Sequence, residues 1–250
     1  MLILLPPSEG KFSPPEGAPV ALDSLAFAAE LGERRARLLD SLERLGTVAT
    51  GRALKQLDIS KGQVGEIAVD AALRGAPAAA AATIYTGVLY DHLRLPELPA
   101  RARRQVLIAS ALWGVVRPED RIPYYRFSAK AKLARIGALS SYWRDALTAA
   151  LPDQPGDLIV DMRSAAYAAA WKPKRATLLA VRAFSESDGK RKPVSHMAKA
   201  VRGEVARALL LAKEAPADPE AAAAITRDAG FEVELRGSNL DVIVAAQAPG

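Results

Sequence analysis

The sequence predicts a mixed α/β (α+β) fold, a single domain in which helices flank a central mixed sheet. Strand-like apolar runs and helical apolar spacings mix along the chain, which is typical of this class. The chain has 250 residues, half of them hydrophobic, so it can bury a sizeable core. It shows no internal repeat and no segment polar enough to mark a boundary. We therefore expect one domain over residues 1–250.

The amino-terminal segment predicts a buried strand followed by a loop. Residues 1–5 are apolar, and Pro6 and Pro7 end the run because proline lacks the N–H group that a sheet needs. A stretch rich in proline and glycine then reaches Pro19, which indicates an extended loop.

Leucines at helical spacing predict an amphipathic helix over residues 24–45, ended by Gly46. Two shorter helices are predicted at about 48–57 and 60–73, and Ser60 could cap the second. Further strands are predicted at 105–109, 158–161, 177–184, 231–235 and 240–245, and further helices at about 139–151, 195–213 and 219–229.

The composition excludes several kinds of chemistry. Cysteine is absent, which removes disulfides, thiol catalysis and iron–sulfur clusters. His92 and His196 are the two histidines, too few for a histidine-rich metal site, although carboxylates could still hold magnesium or calcium. Neither a Walker A loop nor a glycine-rich dinucleotide motif is present. We predict no metal site and no cofactor.

The chain lacks an apolar run of eighteen residues, and its start has neither a basic segment nor a cleavage site. We therefore expect a cytoplasmic protein with no membrane partner. Its formal net charge is +6, from 34 basic and 28 acidic residues. Basic residues gather in four groups, which favours an anionic partner if they share a surface and is otherwise typical of solvated helix faces and turns. The groups are 101–104, 130–135, 172–175 and 190–192.

Ser8, Glu9, Gly10 and Lys11 directly follow the first predicted strand, where α/β proteins commonly bind ligands. Gly10 allows a close backbone approach, and the Lys11 ammonium suits a phosphate. Glu9 could act as a general acid or base. Alternatively Glu9 pairs with Lys11, and the segment is a polar turn that leaves a buried strand.

Three arginines, Arg117, Arg121 and Arg126, flank the pair Tyr124-Tyr125 within a proline-containing stretch. A curled loop could bring the guanidinium groups together on a phosphate or carboxylate, with a tyrosine stacked on a base. Alternatively the neighbouring acids neutralise the arginines, while Trp113 and one tyrosine lie in the core. We favour ligand binding for Arg117 and Arg126 and a core position for Trp113.

Ser195 is a candidate N-cap for the helix that follows it. His196, Lys199 and Arg202 then recur every three residues and share one helical face, which could face the same anion as Lys11. Alternatively this face is a solvated basic surface.

A further polar group follows the strand predicted at 158–161. Asp161 ends that strand, and Ser164 and Tyr167 lie in the turn beyond it. This is a second place where polar side chains could enter a ligand crevice.

Taken together, several stretches resemble the YaaA family, the bacterial peroxide-stress proteins. They occur in the family's order and span nearly the whole chain. The matching stretches are 1–11, Tyr85-Thr86-Gly87, 111–126, Tyr142-Trp143-Arg144-Asp145, Trp171-Lys172-Pro173 and 195–203.

The resemblance implies a YaaA-like fold, a part in peroxide-stress tolerance and binding to DNA. It adds Tyr85, Thr86 and Lys172 to the candidate site. It also implies that the helical pair at about 47–73 is a helix-hairpin-helix-like element, which would hold DNA phosphates with backbone amides. Gly62 and Gly65 follow the turn of that pair, so ordinary helical packing stays open.

Two functions therefore compete, together with a scaffold that binds no tight ligand. The first is binding of duplex or structured DNA through a basic cleft that contains Lys11, Arg117 and Lys199. The second is an enzyme acting on a nucleotide or nucleobase in the same cleft, with Glu9 as acid or base. The sequence predicts no particular protein partner.

Overall fold

The structure is a computed structural model that describes residues 1–187, 190–193 and 197–245. It confirms the mixed α/β fold, with helices packed around a central mixed sheet. Short 3-10 turns cover Lys61–Gln63 and Leu95–Glu97. In chain order the elements are β1 (Leu2–Leu5), α1 (Ala28–Leu45), α2 (Thr50–Leu57), α3 (Gly65–Ala71), β2 (Ala78–Ala80), α4 (Ala81–Ile84), α5 (Val88–Leu93), α6 (Ala100–Arg103), β3 (Val106–Ser110), β4 (Gly114–Val116), β5 (Arg121–Pro123), α7 (Leu139–Ala150), β6 (Leu158–Asp161), α8 (Ala165–Ala168), β7 (Thr177–Ser187), β8 (Lys190–Pro193), α9 (Met197–Leu211), α10 (Pro219–Asp228), β9 (Glu232–Arg236) and β10 (Asn239–Ala245).

The main sheet has the order β4-β3-β1-β6-β7-β10-β9, and β8 pairs with β7. Strands β3, β1, β6, β7 and β10 run parallel to their neighbours, whereas β4, β8 and β9 are antiparallel additions. Strands β2 and β5 form a separate small sheet. Because β1, β3 and β6 are parallel neighbours, the loops that follow them leave from one edge of the sheet.

Strand β1 lies between β3 and β6, and its last three residues are almost fully buried. A central parallel strand is covered on both faces, which accounts for its continuous apolar run. Pro6 and Pro7 end it as the sequence predicts, and the polar segment from Ser8 begins at the carboxyl edge of the sheet.

Helix α1 buries Leu31, Leu38 and Leu42 on one face, as the leucine spacing predicts. It begins at Ala28 rather than at residue 24, because Phe27 adopts a left-handed conformation with φ 58° that interrupts the helix.

The second helix predicted in the pair at 47–73 is divided. Ser60 and Gln63 form a capping box on a 3-10 turn, and helix α3 follows from Gly65. Ser60 thus caps the 3-10 turn, whereas the N-cap of helix α3 is Val64, without a side-chain cap. Helix α3 spans only Gly65–Ala71.

The longer predicted elements are confirmed within a few residues. For the helix predicted at 195–213, residues 194–196 lie outside the described part, and α9 is described over Met197–Leu211. The predicted cap Ser195 and the predicted site residue His196 therefore lie outside the described residues. The sequence missed the short strands β2, β4, β5 and β8 and the short helices α4, α5, α6 and α8, since three to six residues carry no readable period. Within the described ranges, no helix is both long enough and apolar enough to cross a membrane.

Candidate functional site

Lys11 lies in a compact group of polar side chains beside the carboxyl ends of β1 and β3. Its Nζ atom donates a 2.7 Å hydrogen bond to the Ser8 carbonyl. The same atom lies 4.5 Å from the centre of the Tyr125 ring and 5.8 Å from that of Tyr85, a cation–π arrangement. This group, completed by Glu66, Asp70, Ser110, Tyr124 and Arg126, is called the Lys11 cluster below.

The loop after β1 is fixed against the segment that joins α4 and α5. Lys11 and Tyr85 form an isolated antiparallel bridge, and the Phe12 amide donates to the Ile84 carbonyl at 2.8 Å. The Thr86 amide donates to Ser8 Oγ at 3.2 Å. These backbone bonds hold Lys11 in place, so its ammonium group does not depend on a flexible turn for its position.

Three buried hydroxyl groups form a chain under Lys11. The hydroxyls of Tyr85 and Tyr125 lie 2.8 Å apart, and the Tyr125 hydroxyl lies 2.8 Å from Ser110 Oγ. Ser110 Oγ also accepts a hydrogen bond from the Trp113 amide. Burial raises the pKa of both tyrosines well above the usual value, so they stay protonated at neutral pH.

Helix α3 supplies two acidic side chains, Glu66 and Asp70, which lie one turn apart and so share a face. Asp70 is 1% exposed, and its Oδ1 accepts a 2.8 Å hydrogen bond from the Arg126 amide. Glu66 Oε1 accepts a 3.0 Å hydrogen bond from the Tyr124 hydroxyl. The second oxygen of each carboxyl group is buried without a hydrogen-bond partner among the described residues. Such an oxygen is open to a ligand or a proton.

The pKa values of Asp70 and Lys11 approach each other near neutrality. Burial raises the pKa of Asp70 from 3.8 to about 7, and the negative charge of Glu66 acts in the same direction. The hydrogen bond from the Arg126 amide and the positive charges of Lys11 and Arg126 lower this pKa, but they do not outweigh burial. Burial and the positive charge of Arg126 lower the pKa of Lys11 from 10.5 to about 8. The negative charges of Asp70, Glu9 and Glu66 raise it, but by less. Groups with such pKa values can exchange protons near pH 7.

Arg126 and Tyr124 complete the exposed side of the Lys11 cluster. Arg126 is half-buried, and its guanidinium donates to the Glu9 carbonyl at 3.2 Å. Tyr124 is also half-buried, and burial together with Glu66 raises its pKa. Burial raises the pKa of Tyr167 to about 12, and the charge of Glu9 acts in the same direction. The negative charge of the exposed Glu9 thus favours a higher pKa at both Lys11 and Tyr167.

The structure therefore brings together Lys11, Arg126, Tyr124, Tyr125 and Tyr85 from the predicted site. Three further predicted residues, Ser8, Gly10 and Thr86, lie in the bonded loops around them. A Cβ atom on Gly10 would lie 3.2 Å from Thr86 Oγ1, so the small residue permits this close approach.

The other two arginines of the predicted loop contact different segments. The Arg117 guanidinium lies 5.5 Å from the centre of the Phe27 ring, and its amide donates to Asp120. Arg121 donates to the Ala78 carbonyl in β2. Neither shows a contact with Arg126 in the described part of the chain. Trp113 is fully buried, as expected.

Asp161 forms a buried ion pair with Arg163 rather than facing open space. Arg163 donates to both carboxylate oxygens at 2.9 and 2.8 Å and also to the Trp171 carbonyl at 2.8 Å. Arg202 is half-buried and donates to the Val181 carbonyl. These contacts hold the loop after β6 and helix α9 in place. Three predicted residues, Lys172, Ser164 and Lys199, are exposed.

Sequence reasoning missed Glu66, Asp70 and Ser110. For the helical pair at about 47–73, the sequence was considered as a helix-hairpin-helix-like element or as ordinary helical packing, and neither interpretation drew attention to the two acids. Their four-residue spacing in a predicted helix was the available signal. Ser110 ends β3 beside β1, so the strand-end rule that singled out Ser8 also applies to it.

A narrow cavity of about 30 Å³ lies between the ends of β1 and β3 and helix α7. Most of its wall is apolar, including Leu4, Trp143 and Leu147. The polar side chains that line it include Ser110, Ser140, Arg163 and Tyr167. The volume suits a water molecule or a group of that size. Ser110 therefore connects this cavity to the hydroxyl chain of the Lys11 cluster.

No group of three or more His, Asp or Glu side chains in the described ranges could hold a metal ion. Fold and site together define an α/β protein with a partly buried, ionisable cluster at the carboxyl ends of two neighbouring parallel strands. The profile of the peroxide stress protein YaaA family matches residues 1–235. The chain therefore belongs to this family, as the sequence motifs predict.

Relatives support the assignment over the full length. A UPF0246 protein of Streptomyces coelicolor is 44% identical to the chain over 98% of both sequences. A UPF0246 protein of Corynebacterium efficiens is 38% identical over 94% of this chain and 95% of its own. An uncharacterized protein of Campylobacter jejuni is 29% identical over 81% of this chain and 82% of its own.

Proposed function

We propose that this chain is an enzyme that performs acid–base chemistry on a nucleotide or nucleobase in the Lys11 cluster. The observation that carries the proposal is Asp70, a buried carboxyl group with one unpartnered oxygen and a pKa raised to about 7. A buried carboxyl group that titrates near neutral pH in a polar site is a candidate general acid or base.

Each residue of the cluster has a role that follows from its surroundings. Asp70 takes or gives the proton through its unpartnered oxygen, and the half-buried ammonium of Lys11 holds the developing negative charge. Arg126 lies beside Asp70 and at the exposed side, where its guanidinium suits a phosphate. The Tyr124 ring adjoins it and offers a surface for a base.

Glu9 is the acid or base that the sequence suggested, and Asp70 replaces it in this proposal. The Glu9 side chain is exposed. Its backbone carbonyl accepts a hydrogen bond from Arg126, and its negative charge raises the pKa of Lys11. Water weakens the electrostatic control of an exposed carboxylate, whereas the buried Asp70 keeps its altered pKa.

The test is a turnover assay on a panel of nucleoside monophosphates, nucleosides and free bases, with products separated by chromatography. Asp70→Asn keeps an oxygen for the Arg126 amide but loses the titratable proton. We expect it to retain binding and lose about 10²-fold or more in turnover. Asp58→Asn is the matched control, because Asp58 is an exposed acid in a left-handed position that asparagine also tolerates. No turnover of any panel member by the unaltered protein rejects the proposal.

DNA binding in peroxide stress is the second candidate. The observation that favours it is a set of three exposed cations, Arg117, Lys172 and Lys199, without an ion-pair partner within the described ranges. Membership in the peroxide stress protein YaaA family supports the stress role. Unpaired cations can release counterions from DNA phosphates, so binding should weaken steeply as salt rises.

This candidate is tested by a salt titration with duplex and junction DNA. The Arg117→Ala, Lys199→Ala double variant should bind more weakly and with a shallower salt slope. Arg94→Ala is the matched control, since Arg94 is exposed but already paired with Glu97. A flat salt response contradicts the phosphate-contact mechanism. For the stress role, cells without this protein should be more sensitive to hydrogen peroxide, and equal survival contradicts it.

A further inference from the structure

A second hollow, of about 390 Å³ and lined mostly by polar residues, lies between α1, α7 and the loop that precedes α7. It has no lining residue in common with the Lys11 cluster. Three arginines from two segments line it together with one acid and two hydroxyl-bearing residues. These residues are Arg34, Arg37, Arg135, Glu33, Ser141 and Tyr142.

Arg34 is held rigidly at this hollow by a reciprocal pair of hydrogen bonds with Tyr142. Its Nε donates to the Tyr142 carbonyl at 2.9 Å, and the Tyr142 hydroxyl donates to the Arg34 carbonyl at 2.8 Å. The guanidinium also lies 5.9 Å from the centre of the Tyr142 ring. Its terminal nitrogens show no hydrogen bond in the described part of the chain. A guanidinium held by its Nε leaves these donors available for an anion.

Arg37 and Arg135 have no ion-pair partner among the described residues, although Glu33 lines the same hollow. Three cations thus face one carboxylate, and the like charges repel each other unless an anion enters. Burial raises the pKa of Tyr142, and the positive charges of Arg37 and Arg34 lower it. Both arginines therefore lie close to the Tyr142 hydroxyl.

The backbone at Arg135 supports a role beyond solvation. Arg135 adopts φ 68°, in the left-handed region that non-glycine residues rarely occupy, and Gly137 follows with φ 77°. The left-handed conformation is unfavourable for arginine because its Cβ crowds the backbone carbonyl. A surface arginine with no such role can adopt an ordinary backbone conformation. Here the left-handed conformation belongs to the curled loop that places the Arg135 side chain beside α1.

We propose that this hollow is an anion site that takes a phosphate group, held by Arg34, Arg37 and Arg135. Convergent guanidinium groups match phosphate oxygens with paired hydrogen bonds, and the hollow is wide enough for a phosphate with its water. The phosphate can belong to a small phosphorylated molecule or to a nucleic-acid backbone, and the chemistry at the three arginines is the same.

The test measures binding of inorganic pyrophosphate by calorimetry and of a labelled 20-base-pair duplex by anisotropy. The Arg37→Ala, Arg135→Ala double variant should lose at least tenfold in affinity for one of these probes. Glu33→Gln should bind the same probe several-fold more tightly, because it removes the acid that lines the hollow. Loss of pyrophosphate binding indicates a small phosphorylated ligand, and loss of duplex binding alone indicates a nucleic-acid backbone.

Arg144→Ala is the matched control, since Arg144 is an exposed arginine of α7, a helix that borders the hollow, and does not itself line the hollow. It should leave both affinities within twofold of the unaltered protein. Thermal unfolding of every variant checks that the fold is retained, as expected for Arg37 and Arg135 on the surface. Equal affinity of the double variant and the unaltered protein for both probes, or no binding of either probe at low salt, overturns the proposal.

Discussion

The Nζ atom of Lys11 lies 4.5 Å from the centre of the Tyr125 ring, and no carboxylate lies within ion-pair distance of it in the described part of the chain. The ammonium group therefore faces an aromatic ring and a carbonyl in a poorly hydrated place. Neither neighbour carries a full negative charge, so burial lowers the pKa of Lys11.

We expect Lys11 to titrate near pH 8, below an ordinary lysine, because burial and Arg126 lower its pKa to about 8. Arg126→Gln should raise this midpoint, since it removes a positive charge, and Asp70→Asn should lower it, since it removes a negative one. NMR of ¹³C-dimethylated lysines measures the midpoints. A midpoint near 10.5 in the unaltered protein contradicts the expectation.

Asp70 should make the protein less stable as pH rises through the neutral range. Its pKa is 3.8 when unfolded and about 7 when folded, so between these values the folded state holds a proton that the unfolded chain has lost. The contribution of Asp70 to the free energy of unfolding must then fall from about pH 4 to about pH 7 and level off above.

Urea unfolding at several pH values checks this expectation. Asp70→Asn cannot titrate, so it should gain stability relative to the unaltered protein as pH rises from 5 to 8. Asp58→Asn removes an exposed acid at the end of α2 and is the matched control for the loss of one acidic side chain. A stability difference between Asp70→Asn and the unaltered protein that stays constant with pH argues against a raised pKa.

Tyr125→Phe should cost more stability than Tyr85→Phe. The Tyr125 hydroxyl contacts both the Tyr85 hydroxyl and Ser110 Oγ, whereas the Tyr85 hydroxyl has one such contact. Leaving a buried polar group without a partner costs about 1–3 kcal/mol. Tyr125→Phe leaves the Tyr85 hydroxyl in that state, whereas after Tyr85→Phe the Tyr125 hydroxyl keeps its contact with Ser110 Oγ. Urea unfolding of the two single variants and the double variant measures this. A larger loss of stability for Tyr85→Phe contradicts the central position of the Tyr125 hydroxyl between Tyr85 and Ser110.

Gly203→Ala and Gly32→Ala should change stability in opposite directions, although both glycines lie inside helices. A Cβ atom on Gly203 would overlap the Leu89 carbonyl and lie 2.9 Å from the His92 Cβ, because α9 packs closely on α5. Overpacking of this kind costs about 1–3 kcal/mol or more. Gly32 has nothing within 4 Å of such an atom, so alanine should stabilise α1 by about 0.5–1 kcal/mol. Thermal unfolding distinguishes the two, and an equal effect contradicts the close approach at Gly203.

Elements long enough to show a period were readable from the sequence. Strand β6 is confirmed at Leu158–Asp161, and α7 and α10 each end one residue before the prediction. The site was readable in part, since the rule that ligands meet strand ends led to Ser8 and Lys11. Arg117, Arg121 and Arg126 are close in sequence, yet the structure gives each a different contact.

By itself the sequence determined the mixed α/β fold, the family and the strand after which the candidate site begins, because periodicity and local motifs are properties of neighbouring residues. Only the tertiary structure decided that Glu66 and Asp70 of α3 lie against Arg126 and Lys11, since these residues are more than fifty positions apart. It also decided the proton affinities of Asp70 and Lys11. Those depend on burial and on charges from other segments, which emerge only when the chain packs.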